Sequence, residues 1–105
     1  MRANHKYYLN LAFQIAENNL GLTKLNPSVG TVVVKDETVI STGVTSINGR
    51  PHSEYNALKR IKGCTGASLY TTLEPCTHFG KTPPCVNFII KKKIKKVFYA
   101  FDDPD

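Results

Sequence analysis

Two short segments place the tightest limit on how this chain can fold: His52-Ser53-Glu54, and Glu74-Pro75-Cys76 followed by Cys85. They carry one imidazole, two thiols and a carboxylate, Glu54, that need not bind a metal. Zinc takes thiolate sulfur at about 2.3 Å and imidazole nitrogen at about 2.0–2.1 Å. If these residues form a metal site, the backbone must bring positions 52, 76 and 85 to a single point. Either segment alone says little, because an isolated cysteine is usually core packing and His-x-Glu is a common string. The joint pattern is far more specific, because the first cysteine follows a strand and the second enters a helix.

The order of elements is compatible with such convergence. Tyr8, Leu11, Ala12, Ile15 and Ala16 recur at helical spacing, which predicts an amphipathic helix over residues 4–20 with Gly21 as its stop. Val29-Gly30-Thr31-Val32-Val33-Val34 is a β-branched run typical of a buried strand. The short polar Lys35-Asp36-Glu37 leads into Thr38-Val39-Ile40-Ser41-Thr42, so the two strands form an antiparallel hairpin. A second helix is predicted over residues 53–62, with Gly63 and Gly66 around its end. Ala67–Thr72 reads as a third strand, a third helix follows Pro84, and Lys96–Phe101 reads as a fourth strand. The strand-helix-strand unit over 67–101 calls for parallel strands and a right-handed crossover. The fold class is α/β, a mixed sheet flanked by helices, in one domain spanning 1–105.

Size and composition agree with one small domain. The chain has 105 residues, 41% of them apolar, enough for a packed core without disorder. Three cysteines are too few for a secreted disulfide framework, and the reading is a reducing, cytoplasmic setting. No segment reaches the 18 or so apolar residues of a membrane span. Much of the formal charge of +6 sits in Lys91-Lys92-Lys93-Ile94-Lys95-Lys96, read here as a solvated helix end rather than a nucleic-acid contact. Asp102-Asp103-Pro104-Asp105 follows directly on a strand, where an α/β fold usually continues. The expectation is therefore a bare strand edge or a piece of something longer.

The chemistry follows from the donor set. His52 lies just before the second helix and Glu54 in its first turn; Cys76 follows the third strand and Cys85 opens the third helix. Helix N-termini favour thiolates, and two thiolates offset the charge of Zn²⁺. Three protein ligands, His52, Cys76 and Cys85, leave a fourth position for water, as catalytic zinc sites do. Glu54, close to the metal without binding it, suits a proton shuttle that must both accept and donate. His-x-Glu with a later Pro-Cys is the pattern of hydrolytic deaminases, although eight residues rather than two separate these cysteines. The intervening Thr77-His78-Phe79-Gly80-Lys81-Thr82-Pro83-Pro84 reads as a substrate-holding loop, with Lys81 and Thr82 facing phosphate or ribose and His78 a ring edge or phosphate. Asn26, whose amide both donates and accepts, is a further candidate contact. Cys64 reads as a turn or partly buried position without function, and His5 as a surface residue at a helix start.

At these residues the chain resembles the deaminase domain of the bacterial riboflavin-biosynthesis deaminase/reductase family. The matching segments are Asn26-Pro27-Ser28-Val29-Gly30, Gly49-Arg50-Pro51-His52-Ser53-Glu54, and Thr72 through Cys85 with its wide, proline-ended loop. The resemblance covers essentially the whole chain. It implies a cytidine-deaminase-like three-layer sandwich, cut short after the fourth strand. It also implies zinc-dependent deamination at C2 of 2,5-diamino-6-(5-phosphoribosylamino)pyrimidin-4-one, giving 5-amino-6-(5-phosphoribosylamino)uracil. Carried over by match, His52, Cys76 and Cys85 are zinc ligands, Glu54 the proton shuttle, and Asn26, His78, Lys81 and Thr82 substrate contacts. Relatives associate, which implies a homo-oligomer. Many relatives have a histidine where Thr45 stands; Thr45 keeps a hydroxyl there but loses the cationic option. No Gly-x-Gly-x-x-Gly segment opens a helix after a strand, so no nicotinamide site is expected. Two other readings stay open: a nucleoside or RNA-base deaminase, and a catalytically weak zinc-stabilised domain acting through a partner.

Overall fold

Asn4 starts the first helix by accepting the Tyr7 N–H on its side-chain oxygen at 3.0 Å, an N-cap that satisfies one of the otherwise unpaired first-turn donors. This helix, α1, spans His5–Ala16, and a 3-10 turn at Glu17–Asn19 carries it to Gly21, which takes a φ of +83°. The computed structural model describes residues 4–23, 27–47, 49–73 and 85–101, apart from the side chains of 85 and 101. The tightened end explains why the helical pattern read from the sequence runs past the α-helix proper.

The β-branched run forms β1, Gly30–Lys35, and its hairpin partner is β2, Thr38–Val44. Asp36 and Glu37 make the two-residue connection at φ 51° and 63°, as in the turns whose twist suits a tight hairpin. β3, Ser68–Leu73, lies antiparallel to β1 on its other side, with Thr31 opposite Thr71 and Val33 opposite Leu69. β4, Lys96–Phe101, is parallel to β3. The sheet order is β2-β1-β3-β4, so the mixed sheet and the parallel β3–β4 pair agree with the sequence reading.

Side-chain alternation along the central strands divides the core in two. Val32, Val34 and Tyr70 face α1 with Ala12, while Val33 and Leu69 face the opposite layer with Ala57, Leu58 and Ile89. That layer holds α2, Ser53–Leu58, and α3, Cys85–Lys91. The result is an α/β/α three-layer sandwich.

Several sequence readings change. α2 stops at Leu58 rather than near 62, because the Ile61 N–H bonds Leu58 O at 3.2 Å and tightens the chain out of the helix. Cys64 is not partly buried: it is 1% exposed, inside the core cluster on the α2 side, with Sγ 3.5 Å from Lys92 O. His5 is exposed but not idle, since its Nδ1 lies 2.6 Å from the Tyr70 hydroxyl and its ring stacks on Phe98 with centroids 4.1 Å apart. The lysine run is divided between roles. Lys91 ends α3, and Lys92 donates to Ile61 O at 2.7 Å with its ammonium near the Phe88 ring.

Candidate active site

His52 is the N-cap of α2, in extended conformation and half-buried, and Ser53 and Glu54 form the first turn behind it. Glu54 is 4% exposed and Ser53 0%, unusual depth for a carboxylate. The depth comes from Gly43 in β2. A Cβ there would sit 2.5 Å from Ala57 N and 2.9 Å from its Cα, and closer still to Ser53 O, so the glycine is what lets the helix backbone lie on the strand. Ser41, two residues earlier on β2, donates to Ala57 O at 2.6 Å and ties the same helix down.

The Asn56 side chain spans the loop into α2. Asn56 Nδ2 lies 2.7 Å from Val44 O, 2.9 Å from Ser46 Oγ and 3.3 Å from Pro51 O. With two protons to give, it serves chiefly the two nearer acceptors. The Ser46 N–H adds a bond to Pro51 O at 3.1 Å. His52 therefore leaves a loop that is fastened at both ends.

Beneath Glu54 lies a row of buried hydroxyls. Ser53 Oγ donates to Glu54 Oε1 at 2.9 Å, and Thr31 Oγ1 on β1 is 2.8 Å from Ser53 Oγ. Thr31 Oγ1 also points its donor at Thr71 Oγ1 across the β1–β3 pair, at 3.3 Å. All three hydroxyl residues are 0% exposed.

α2 and α3 touch through aromatic side chains. Tyr55 is one turn beyond His52 and Phe88 one turn beyond Cys85, and their ring centroids are 5.0 Å apart. Cys76, Asn26, His78, Lys81 and Thr82 lie outside the described residues, as does the side chain of Cys85. Thr45 is described. It is 1% exposed, and its Oγ1 accepts the Val29 N–H at 2.9 Å, so this hydroxyl braces the entry to β1.

A model of the cytidine and deoxycytidylate deaminase zinc-binding region matches residues 2–101. The chain belongs to this deaminase family. It is 45% identical over 101 residues to the riboflavin biosynthesis protein RibD of Bacillus amyloliquefaciens, a match covering 95% of this chain and 27% of that protein. The chain thus spans less than a third of the length of that relative. It is 39% identical to the diaminohydroxyphosphoribosylamino-pyrimidine deaminase of Buchnera aphidicola, covering 97% of this chain and 70% of the relative. Among solved structures, Acinetobacter baumannii RibD superposes with a TM-score of 0.91 at 42% identity, over 95% of this chain and 28% of that one.

The donor chemistry of this deaminase-family domain fits zinc, the metal of the family's binding region. An imidazole stands at the mouth of α2, and a cysteine opens α3, the helix whose Phe88 ring meets Tyr55 of α2. Among the described residues no group of three His, Cys, Asp or Glu forms a metal cluster, and two of the three expected ligand side chains lie outside that set.

Sequence reasoning missed Thr31, Gly43, Ser53 and Asn56. The available signals were a lone threonine in a valine run, a glycine inside a strand, and an asparagine inside a short helix. Each is a local departure from the pattern around it.

Proposed function

We propose that this chain is a zinc-dependent aminohydrolase domain. Its substrate is 2,5-diamino-6-(5-phosphoribosylamino)pyrimidin-4-one, deaminated at C2 to 5-amino-6-(5-phosphoribosylamino)uracil. The observation that carries the reading is the Glu54 carboxylate, buried two residues from His52 and braced by Ser53, in a chain that RibD relatives match over nearly its whole length.

His52 through a ring nitrogen, and Cys76 and Cys85 through thiolates, would hold the metal. Zinc, when bound, acts as a Lewis acid and lowers the pKa of water toward about 7. Glu54 takes one proton from water as the water oxygen bonds to C2 and passes it to the ring nitrogen; it then takes the proton left on that C2 hydroxyl and gives it to the departing amine. The C2–N bond breaks, ammonia leaves, and a carbonyl remains. Burial serves this role, because a carboxylate in a largely dry pocket exchanges its proton with substrate rather than with bulk water. Asn26 and the His78, Lys81 and Thr82 loop supply the polar and cationic groups that a ribose phosphate requires. The domain works as a homo-oligomer, a reading supported by the small size of its 105 residues; light scattering at micromolar concentration tests it.

The deciding experiment compares ammonia release from the diamino substrate by zinc-loaded wild type and Glu54→Gln. Loss of activity with zinc retained is the expected result. Equal rates in the two would refute the shuttle.

A further inference from the structure

We infer that Ser53 and Thr31 are positioning residues for the reaction, acting through a hydroxyl relay that fixes the Glu54 carboxylate. The inference rests on the assignment of Glu54 as proton shuttle and goes beyond it, to the two side chains that aim it.

A carboxylate on a short helix keeps rotamer freedom unless something fixes its oxygens. Here one such group is the next residue toward the N-terminus. Ser53 Oγ donates to Glu54 Oε1 at 2.9 Å, a charge-assisted bond to an acceptor-only group. A serine hydroxyl has one proton, and with that proton committed to Glu54, Ser53 can only accept from Thr31. The 2.8 Å separation suits Thr31 as donor. Thr31 likewise has one proton, within reach of both Ser53 Oγ at 2.8 Å and Thr71 Oγ1 at 3.3 Å, and the shorter contact takes the larger share of it. The relay so ordered runs from the sheet toward the carboxylate.

Thr31 is rigidly placed. It lies in β1, between β2 and β3, and faces the α2 layer. A β-branched residue in a central strand has few rotamers, so the relay is anchored to the stiffest part of the fold. It is also costly to build for packing alone. Three hydroxyl residues fully withdrawn from water stand where neighbouring positions on the same sheet face carry Val33 and Leu69. Apolar residues of the same size would fill that space without any need for partners. The hydroxyls do something that valine and alanine cannot, which is to hold the Glu54 carboxylate in one orientation through Oε1.

The test uses the intact zinc-loaded protein and the diamino substrate, with kcat, KM, zinc content and melting temperature measured for each variant. Ser53→Ala is expected to lower kcat by about tenfold or more with KM changed by less than about twofold, because a misaimed catalytic group affects the transition state rather than binding. The Thr31 pair separates aiming from packing. Thr31→Val keeps the shape and removes the hydroxyl, and is expected to lose kcat in the same way. Thr31→Ser keeps the hydroxyl and removes a methyl, and is expected to retain kcat while losing thermal stability. A packing role would give the reverse order. The inference is overturned if Thr31→Val keeps wild-type kcat, or if Ser53→Ala does, while Glu54→Gln is inactive. Should Ser53→Ala fail to fold, the Thr31 pair decides alone. Wild-type activity in Glu54→Gln would instead remove the shuttle assignment itself, and the inference with it.

Discussion

Gly43→Ala tests how closely the proposed site depends on a strand that contributes no reacting group. The added methyl would meet Ala57 N at 2.5 Å, and Ser53 O closer still, both of them helix backbone. No flexible side-chain end can swing aside to make room. Restoring ordinary contact near 3.4 Å requires a displacement of about 1 Å between β2 and α2. Overpacking of this kind costs about 1–3 kcal/mol, lowering the melting temperature of a domain this size by about 5–20 °C. The functional effect should be larger than the stability effect suggests. His52 and Glu54 ride on the displaced helix, and a misplacement of about 1 Å can cost about a hundredfold in rate. Steady-state ammonia release, zinc content and a thermal melt on the same preparation measure all three. Wild-type kcat together with an unshifted melt would show that the helix does not rest on Gly43 as described.

Two further outcomes follow from residues outside that contact. Cys76→Ser and Cys85→Ser should lose bound zinc and activity, whereas Cys64→Ser should keep stoichiometric zinc and lose about 1 kcal/mol or more, the cost of a hydroxyl in the core; metal analysis after gel filtration distinguishes them, and zinc loss from Cys64→Ser would contradict the assignment. Burial pushes the Tyr70 phenol above its ordinary 10.0, with Tyr8 adding to the rise. The unfolded chain therefore gives up this proton first, so the Tyr70 contribution is intact below about pH 10 and is lost as pH rises beyond it. Melting temperature should fall more steeply above pH 10 in wild type than in Tyr70→Phe, and parallel slopes would refute this.

Much of the fold could be read from residue patterns because those patterns report burial directly. The run Val32-Val33-Val34 is fully or nearly fully buried, and β4 was placed correctly at Lys96–Phe101. The mixed topology followed from connection lengths: a two-residue link forces an antiparallel pair, and a helical crossover permits a parallel one. The positions of His52 before α2 and of Glu54 in its first turn were legible for the same reason. What stayed hidden depended on tertiary contact. Nothing local announces that the Thr31 hydroxyl meets Ser53, 22 residues away. The pairing of His5 with Tyr70 spans 65 residues, so a histidine at a helix start looked like ordinary surface. The apolar spacing overstates the length of α2, because Ile61 continues it while its backbone has already left the helix.

The antiparallel contact between β1 and β3 also sets a kinetic order. β1 and β2 close over two residues and can pair early, but Thr31 and Thr71 are 40 residues apart and must wait for a long loop to close. On a growing polypeptide, the hairpin and α1 emerge well before the strand that completes the setting of Glu54. The setting of Glu54 is therefore completed late, when β3 docks on β1 and brings Thr71 to Thr31.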